Sequence, residues 1–317
     1  MVMNRSALLA VAAGVFGATL LVAALRGSLL GVMFGTLLSP LPLAMAVLGL
    51  GPAFLPVAVV SGAVTTTVLT GSFAAAVIYL VVDALPVALL MRFGRGQGPH
   101  QPADGAAVGR AAAWLALAAL GLIVAGLALM PLGEGGVEAT VRARLGEVIA
   151  QAREAGQGRL GLPDRPEAIA ALASFLPGAA GWNWCLRAIV SAALAQAVLM
   201  RMGGALYAAP AYRAAAVPGW FIAAFWAAAA TSWLAPGDAG FVALNAAAVM
   251  CLPLLLQGLA VVHSGIARFD RAGLWLVAFY VMALLMAALA FVVLVCLGVV
   301  DHFLKLRARM VPPPRGG

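Results

Sequence analysis

From Ala7 to Leu25 the chain runs nineteen residues without a charged side chain, and stretches of this kind recur along most of its length. The hydrocarbon core of a bilayer is roughly 30 Å thick, which about 20 apolar residues cross as a helix. Further apolar runs cover 28–50, 53–69, 73–91, 111–130, 169–200, 220–234, 241–262 and 274–300. Hydrophobic residues make up 64% of the chain and charged ones 9%, against about 25% charged in a soluble domain. On a water-facing surface that excess would form large apolar patches, which soluble proteins rarely carry. The expected fold is all-α: one integral membrane domain, a polytopic transmembrane helical bundle of eight or nine spans. The pattern argues against a β-barrel, whose strands alternate apolar and polar residues while these runs are continuously apolar. The first run is longer than the h-region of a signal peptide and reads as a membrane helix.

The formal net charge is +8, with 19 cations of which one, Lys305, is not arginine. The cations fall mainly in short connections between apolar runs. That is the pattern of loops facing anionic lipid on the cytoplasmic side, not of a nucleic-acid surface. The polar loop 92–110 and the connections Arg201–Arg213 and Arg268–Arg271 would face the cytoplasm in a nine-span arrangement. The basic tail, 301–317, would then end outside, in conflict with the positive-inside tendency. Cys185, Cys251 and Cys296 lie far apart in apolar runs, with no spacing suited to zinc or a redox pair, and read as packing residues.

Two regions break the pattern. Ser39-Pro40-Leu41-Pro42 interrupts the second run. Proline removes backbone donors, and in a membrane the freed carbonyls need protein or a cavity to satisfy them, so a broken or re-entrant span is expected. The polar segment 131–166 carries Val137, Val141, Leu145, Val148, Ile149 and Ala152 on one stripe, with Glu138 and Arg142 at i,i+4 spacing. It reads as an amphipathic interfacial helix. The run 169–200 contains Pro177-Gly178 and Trp182-Asn183-Trp184 and is expected as an interfacial helix followed by a span.

Ionisable groups within spans are costly and are candidates for function. Asp83 lies mid-run before Pro86. It could contact a polar substrate, proton or cation, or bond backbone freed by Pro86, or pair with an arginine. Arg187 could snorkel to the interface beside Trp182 and Trp184, or pair with Asp83. Asn245 and Gln257 are twelve residues apart, within about 120° on one helix. They could line a polar cavity or bond neighbouring helices. Asp83, Asn245 and Gln257 are the candidate substrate-binding residues. Thr65-Thr66-Thr67 suits capping of backbone carbonyls. No catalytic constellation, metal-ligand spacing or cofactor motif is present: the sequence has no GxSxG, HExxH or Walker loop.

Pro218-Gly219-Trp220, Asn245, Leu255 to His263, and Gly298-Val299-Val300-Asp301-His302-Phe303 with Arg307 follow one another in the C-terminal third. This order, with Ser39-Pro40-Leu41-Pro42 near the start, resembles the YybS-like family of predicted bacterial membrane proteins (domain of unknown function 2232). That family is distantly similar to the substrate-binding membrane subunits of energy-coupling-factor vitamin transporters. The resemblance implies a small-molecule-binding helical bundle in a bacterial inner membrane, and supplies no catalytic residues. The expected function is thus a transporter-like or small-molecule substrate-binding membrane subunit. The alternative is a membrane scaffold or assembly partner acting through 137–152 and the arginine-rich loops. Expected partners are the lipid bilayer, a small-molecule ligand or a membrane-protein partner, and no nucleic acid.

Overall fold

A computed structural model of the chain describes residues 5–27, 31–95, 104–133, 135–154 and 165–310. All regular structure among them is helical: α1 (Arg5–Leu25), α2 (Thr36–Leu38), α3 (Pro40–Leu50), α4 (Leu55–Thr70), α5 (Phe73–Tyr79), α6 (Leu85–Phe93), α7 (Gly105–Leu129), α8 (Gly136–Glu154), α9 (Pro166–Met202), α10 (Gly219–Leu234), α11 (Gly237–Ile266), α12 (Ala272–Leu285), α13 (Ala287–Leu304) and α14 (Leu306–Met310). Wide π-type turns, Gly31–Gly35 and Leu80–Ala84, precede α2 and join α5 to α6. Seven of the helical stretches are long and apolar enough to cross a membrane, and three shorter apolar ones accompany them. Large apolar side chains stand exposed, among them Phe73 at 77% and Leu284 at 80%. Lipid, not water, is the solvent that makes such a surface stable.

The fold divides into two compact units, one of Met1–Leu115, Trp184–Pro218 and Pro253–Gly317, the other of Ala116–Asn183 and Gly219–Leu252. In the first unit the helix contacts rest on glycine. Without a hydrophobic drive between helices in lipid, close backbone approach supplies the packing energy. A Cβ on Gly14 of α1 would strike the Ala58 carbonyl of α4, and one on Gly17 would strike the carbonyl of Ser39. Gly35 sits against Leu20 in the same way. Residue 35 thus lies beside residue 20 and residue 39 beside residue 17, so the stretch 31–50 runs antiparallel along α1. It is a broken helix that continues in one direction, and not a re-entrant one. Thr65, Thr66 and Thr67 each donate to the carbonyl four residues back, to Ser61, Gly62 and Ala63.

The last apolar run departs from the single span expected of 274–300. The helix bends at Met286, which leaves helical geometry with φ −116° and ψ 43°. Ser264, before the run, and Arg307, after it, both donate to one carbonyl, that of Arg213, at 3.5 and 2.8 Å. The run therefore leaves from and returns to the same place. Arg307 thus lies with the basic 201–213 connection, because α12 and α13 go out and come back.

In the second unit Val141 of α8, Ala173 of α9 and Phe241 of α11 form a buried cluster, with Val137 and Leu145 packed against it. Three members of the stripe read from the sequence thus face protein, and Ile149 is buried as well, while Val148 is 60% exposed. Asp238 caps α8 by accepting from the Val137 N–H at 2.8 Å, where a carboxylate complements the helix dipole. Glu138 and Arg142 pair at 3.1 Å. The helix α9 is continuous over 37 residues, roughly 55 Å at 1.5 Å per residue. The interruption expected around Pro177 is bridged by a side chain described below.

Candidate functional site

Two polar regions of the first unit compete for the role of functional site. One is closed and is built on prolines. Pro40 cannot return a proton to the carbonyl of Thr36 four residues back, and Pro86 cannot reach those of Val82 or, across the wide π turn, Val81. Side chains of α9 meet all three. Arg187 donates through Nη1 to Thr36 O at 2.8 Å and through Nη2 to Val82 O at 2.7 Å. Trp184 donates from Nε1 to Val81 O at 3.1 Å. One turn beyond Arg187, Ser191 donates to Leu37 O at 3.0 Å.

Asp83 balances the charge of Arg187. Its Oδ1 lies 2.7 Å from Arg187 Nη2 and accepts from the Ser39 hydroxyl at 2.9 Å. Both partners are buried, with 8% and 0% of their side chains exposed. Of the two sequence readings of Arg187, pairing with Asp83 is the one realised, and snorkelling is not. Asp83 Oδ2 and the Tyr79 hydroxyl, one helical turn apart, are buried and have no hydrogen-bond partner among the described residues. Tyr79 fills the space that a side chain at Gly62 would take.

Gln257 belongs to a second closed group. Its Oε1 accepts from the Val217 N–H at 2.8 Å and its Nε2 donates to Asp301 Oδ2 at 3.0 Å. Arg307 closes on the same carboxylate through Nε and Nη2, at 3.0 and 2.7 Å. In the other unit Asn245 stitches α9 at its proline. It accepts from the Gly178 N–H at 2.6 Å and donates to Ser174 O at 3.0 Å, the two groups that one turn of helix would join across Pro177. Each of the three sequence candidates thus has its own set of protein partners. Asp83 and Gln257 lie in the first unit and Asn245 in the second.

The other polar region is open. A cavity of about 250 Å³ is lined by the end of α6, the start of α7, the later turns of α9 and α11, Tyr280 of α12 and the connection after α9. The walls are mostly alanine, leucine and isoleucine, among them Ala111, Ala112, Ile189, Ala192, Ala193 and Leu259. Its polar groups are Arg95, Gln196, Tyr207, Tyr212, Arg213, His263 and Tyr280. Arg95 donates to the Tyr207 hydroxyl at 3.2 Å and lies 5.8 Å from that ring's centre. Gln196 is buried and ties the same segment down by donating to Tyr207 O at 2.7 Å. His263 and Tyr280 are 2.8 Å apart, Nε2 to hydroxyl. Among the described lining residues two are cations and none is an acid. Asp83, Asn245 and Gln257 are not part of this lining.

None of these cavity residues follows from a search for charges inside apolar runs, because most sit at run ends and in connections. The signal available was Tyr207, Tyr212 and Arg213 crowded into one short polar connection, where aromatic residues and arginine suit recognition. Among the described residues no three His, Cys, Asp or Glu side chains gather as metal ligands would. Cys185 is buried, its thiol 3.7 Å from Leu115 O.

The family described as "Predicted membrane protein (DUF2232)" matches residues 15–302. The chain belongs to that family. No curated protein and no solved structure matches it.

Proposed function

We propose that the chain, a member of that family, is a transporter-like or small-molecule substrate-binding membrane protein of a bacterial inner membrane. One observation carries the proposal: a largely apolar cavity with a few convergent polar groups, the usual form of a small-ligand site. At about 250 Å³ it is smaller than the roughly 300–1,000 Å³ of drug-sized sites. It suits a compact ligand of on the order of ten non-hydrogen atoms, given about 30 Å³ for one water in the liquid.

Topology gives the cavity a side. Arg95, Arg213 and Arg307 gather at one end of the first unit through the Arg95–Tyr207 and Arg307–Arg213 contacts. The positive-inside tendency assigns that end to the cytoplasm. Asp83 enters this proposal as a residue that holds the broken helices of the same unit in shape, Gln257 as one that ties the connection before α10 to α13, and Asn245 as the brace of α9 in the other. The scaffold alternative has less support, because the apolar stripe of α8 is largely packed within its own unit.

Native mass spectrometry of the protein purified in mild detergent tests the proposal. We expect a small bound species that survives delipidation and disappears in Ala192→Trp, which fills the cavity. The same adduct pattern in both proteins would count against a binding function for the cavity.

A further inference from the structure

Resting on that binding role, we infer that the ligand is an amphipathic anion: a compact apolar body with one carboxylate, sulfonate or phosphate group. The walls are apolar, so the body of the ligand is apolar. The charged groups on the lining are Arg95 and Arg213, with no described acid to neutralise them.

Neither guanidinium is saturated by its surroundings in the way Arg187 is. Among the described residues Arg95 donates to one partner, a neutral phenol. Arg213 contributes its backbone carbonyl to Ser264 and Arg307, which anchors the residue while its side chain stays on the cavity. Guanidinium presents a fork of donors matched to carboxylate and phosphate oxygens. Tyr207, bonded to Arg95 and held through its backbone by Gln196, fixes one fork in place. A cationic ligand would meet two like charges, and a neutral one would leave both forks unmatched.

The test uses the full chain in nanodiscs of neutral phosphatidylcholine. Saturation-transfer NMR and isothermal titration compare 3-phenylpropionate and phenyl phosphate with 3-phenylpropanamide and 3-phenylpropylamine. A second arm uses dihexanoyl phosphatidic acid, to separate a lipid headgroup from a free metabolite as the source of the anion. The anions should bind at least tenfold more tightly than the amide, and the amine more weakly still. Arg95→Gln and Arg213→Gln should each weaken the anions several-fold, and the double variant by tenfold or more, leaving the amide unchanged. Ala193→Trp, or the smaller Ala193→Phe, should remove binding of every probe.

Equal binding of anion and amide, with both lost in Ala193→Trp, would overturn the ligand class and leave the cavity's binding role intact. Binding of all probes that the filled variants do not alter would overturn both. Tight binding of the phosphatidic acid alone keeps the anion class and identifies a lipid as its source.

Discussion

The Asp83–Arg187 cluster and the Arg95–Arg213 cavity belong to the same unit, and both place arginine against apolar helices, yet they use its donors in opposite ways. Arg187 is 7% exposed, and its donors go to two carbonyls and one carboxylate. Arg95 and Arg213 are exposed at a cavity, where Arg95 bonds a phenol and no described lining residue is an acid. The difference follows from proline. Where a helix breaks in lipid, each freed carbonyl requires a donor, and an arginine with a buried counter-ion supplies several at once. Where the chain is already in a polar connection, no such demand exists, and no helix carbonyl claims the guanidinium.

Breaking the closed side should produce the largest effect. Arg187→Met strands the buried carboxylate of Asp83 and removes the donors to the Thr36 and Val82 carbonyls, which should cost about 3–5 kcal/mol and appear as a collapse of the monodisperse peak in detergent. Asp83→Leu combined with Arg187→Met should recover part of that loss, since removing both charges is milder than stranding one. Recovery to full stability would mean that the carbonyls of Thr36 and Val82 do not depend on Arg187. An unaffected Arg187→Met protein would erase the contrast between the two regions.

Asn245→Leu comes next. It removes both bonds across the Pro177 turn, and the expected cost is about 2 kcal/mol, read as a lowered midpoint in thermal unfolding. The smallest stability effect belongs to the open side. Arg95→Gln and Arg213→Gln should each stay within about 0.5 kcal/mol, as surface changes usually do. A destabilisation as large as that of Arg187→Met would mean that the cavity arginines, too, are structural.

Much of this was readable without coordinates. The membrane-embedded helical fold follows from run length and charge scarcity, and the Glu138–Arg142 pair from i,i+4 spacing. Thr65, Thr66 and Thr67 cap carbonyls for the reason their position suggested. Asp83, Asn245 and Gln257 were identifiable as intramembrane polar residues, but their partners lie 104, 67 and 44 residues away. No local pattern encodes such separations. The bend at Met286 was equally hidden: no proline or glycine marks it, and only the shared carbonyl of Arg213 shows that both ends of the run meet.

By itself the order of residues determined the solvent this chain must live in and the helical answer to it, because peptide groups in hydrocarbon must bond within their own segment. It also marked the prolines at which that answer fails locally. Which side chain repairs each break was decided by packing between helices far apart in sequence. So was the emergence of a cavity from run ends and connections. A single helix cannot satisfy the carbonyls its own prolines release, and no single segment can enclose a space.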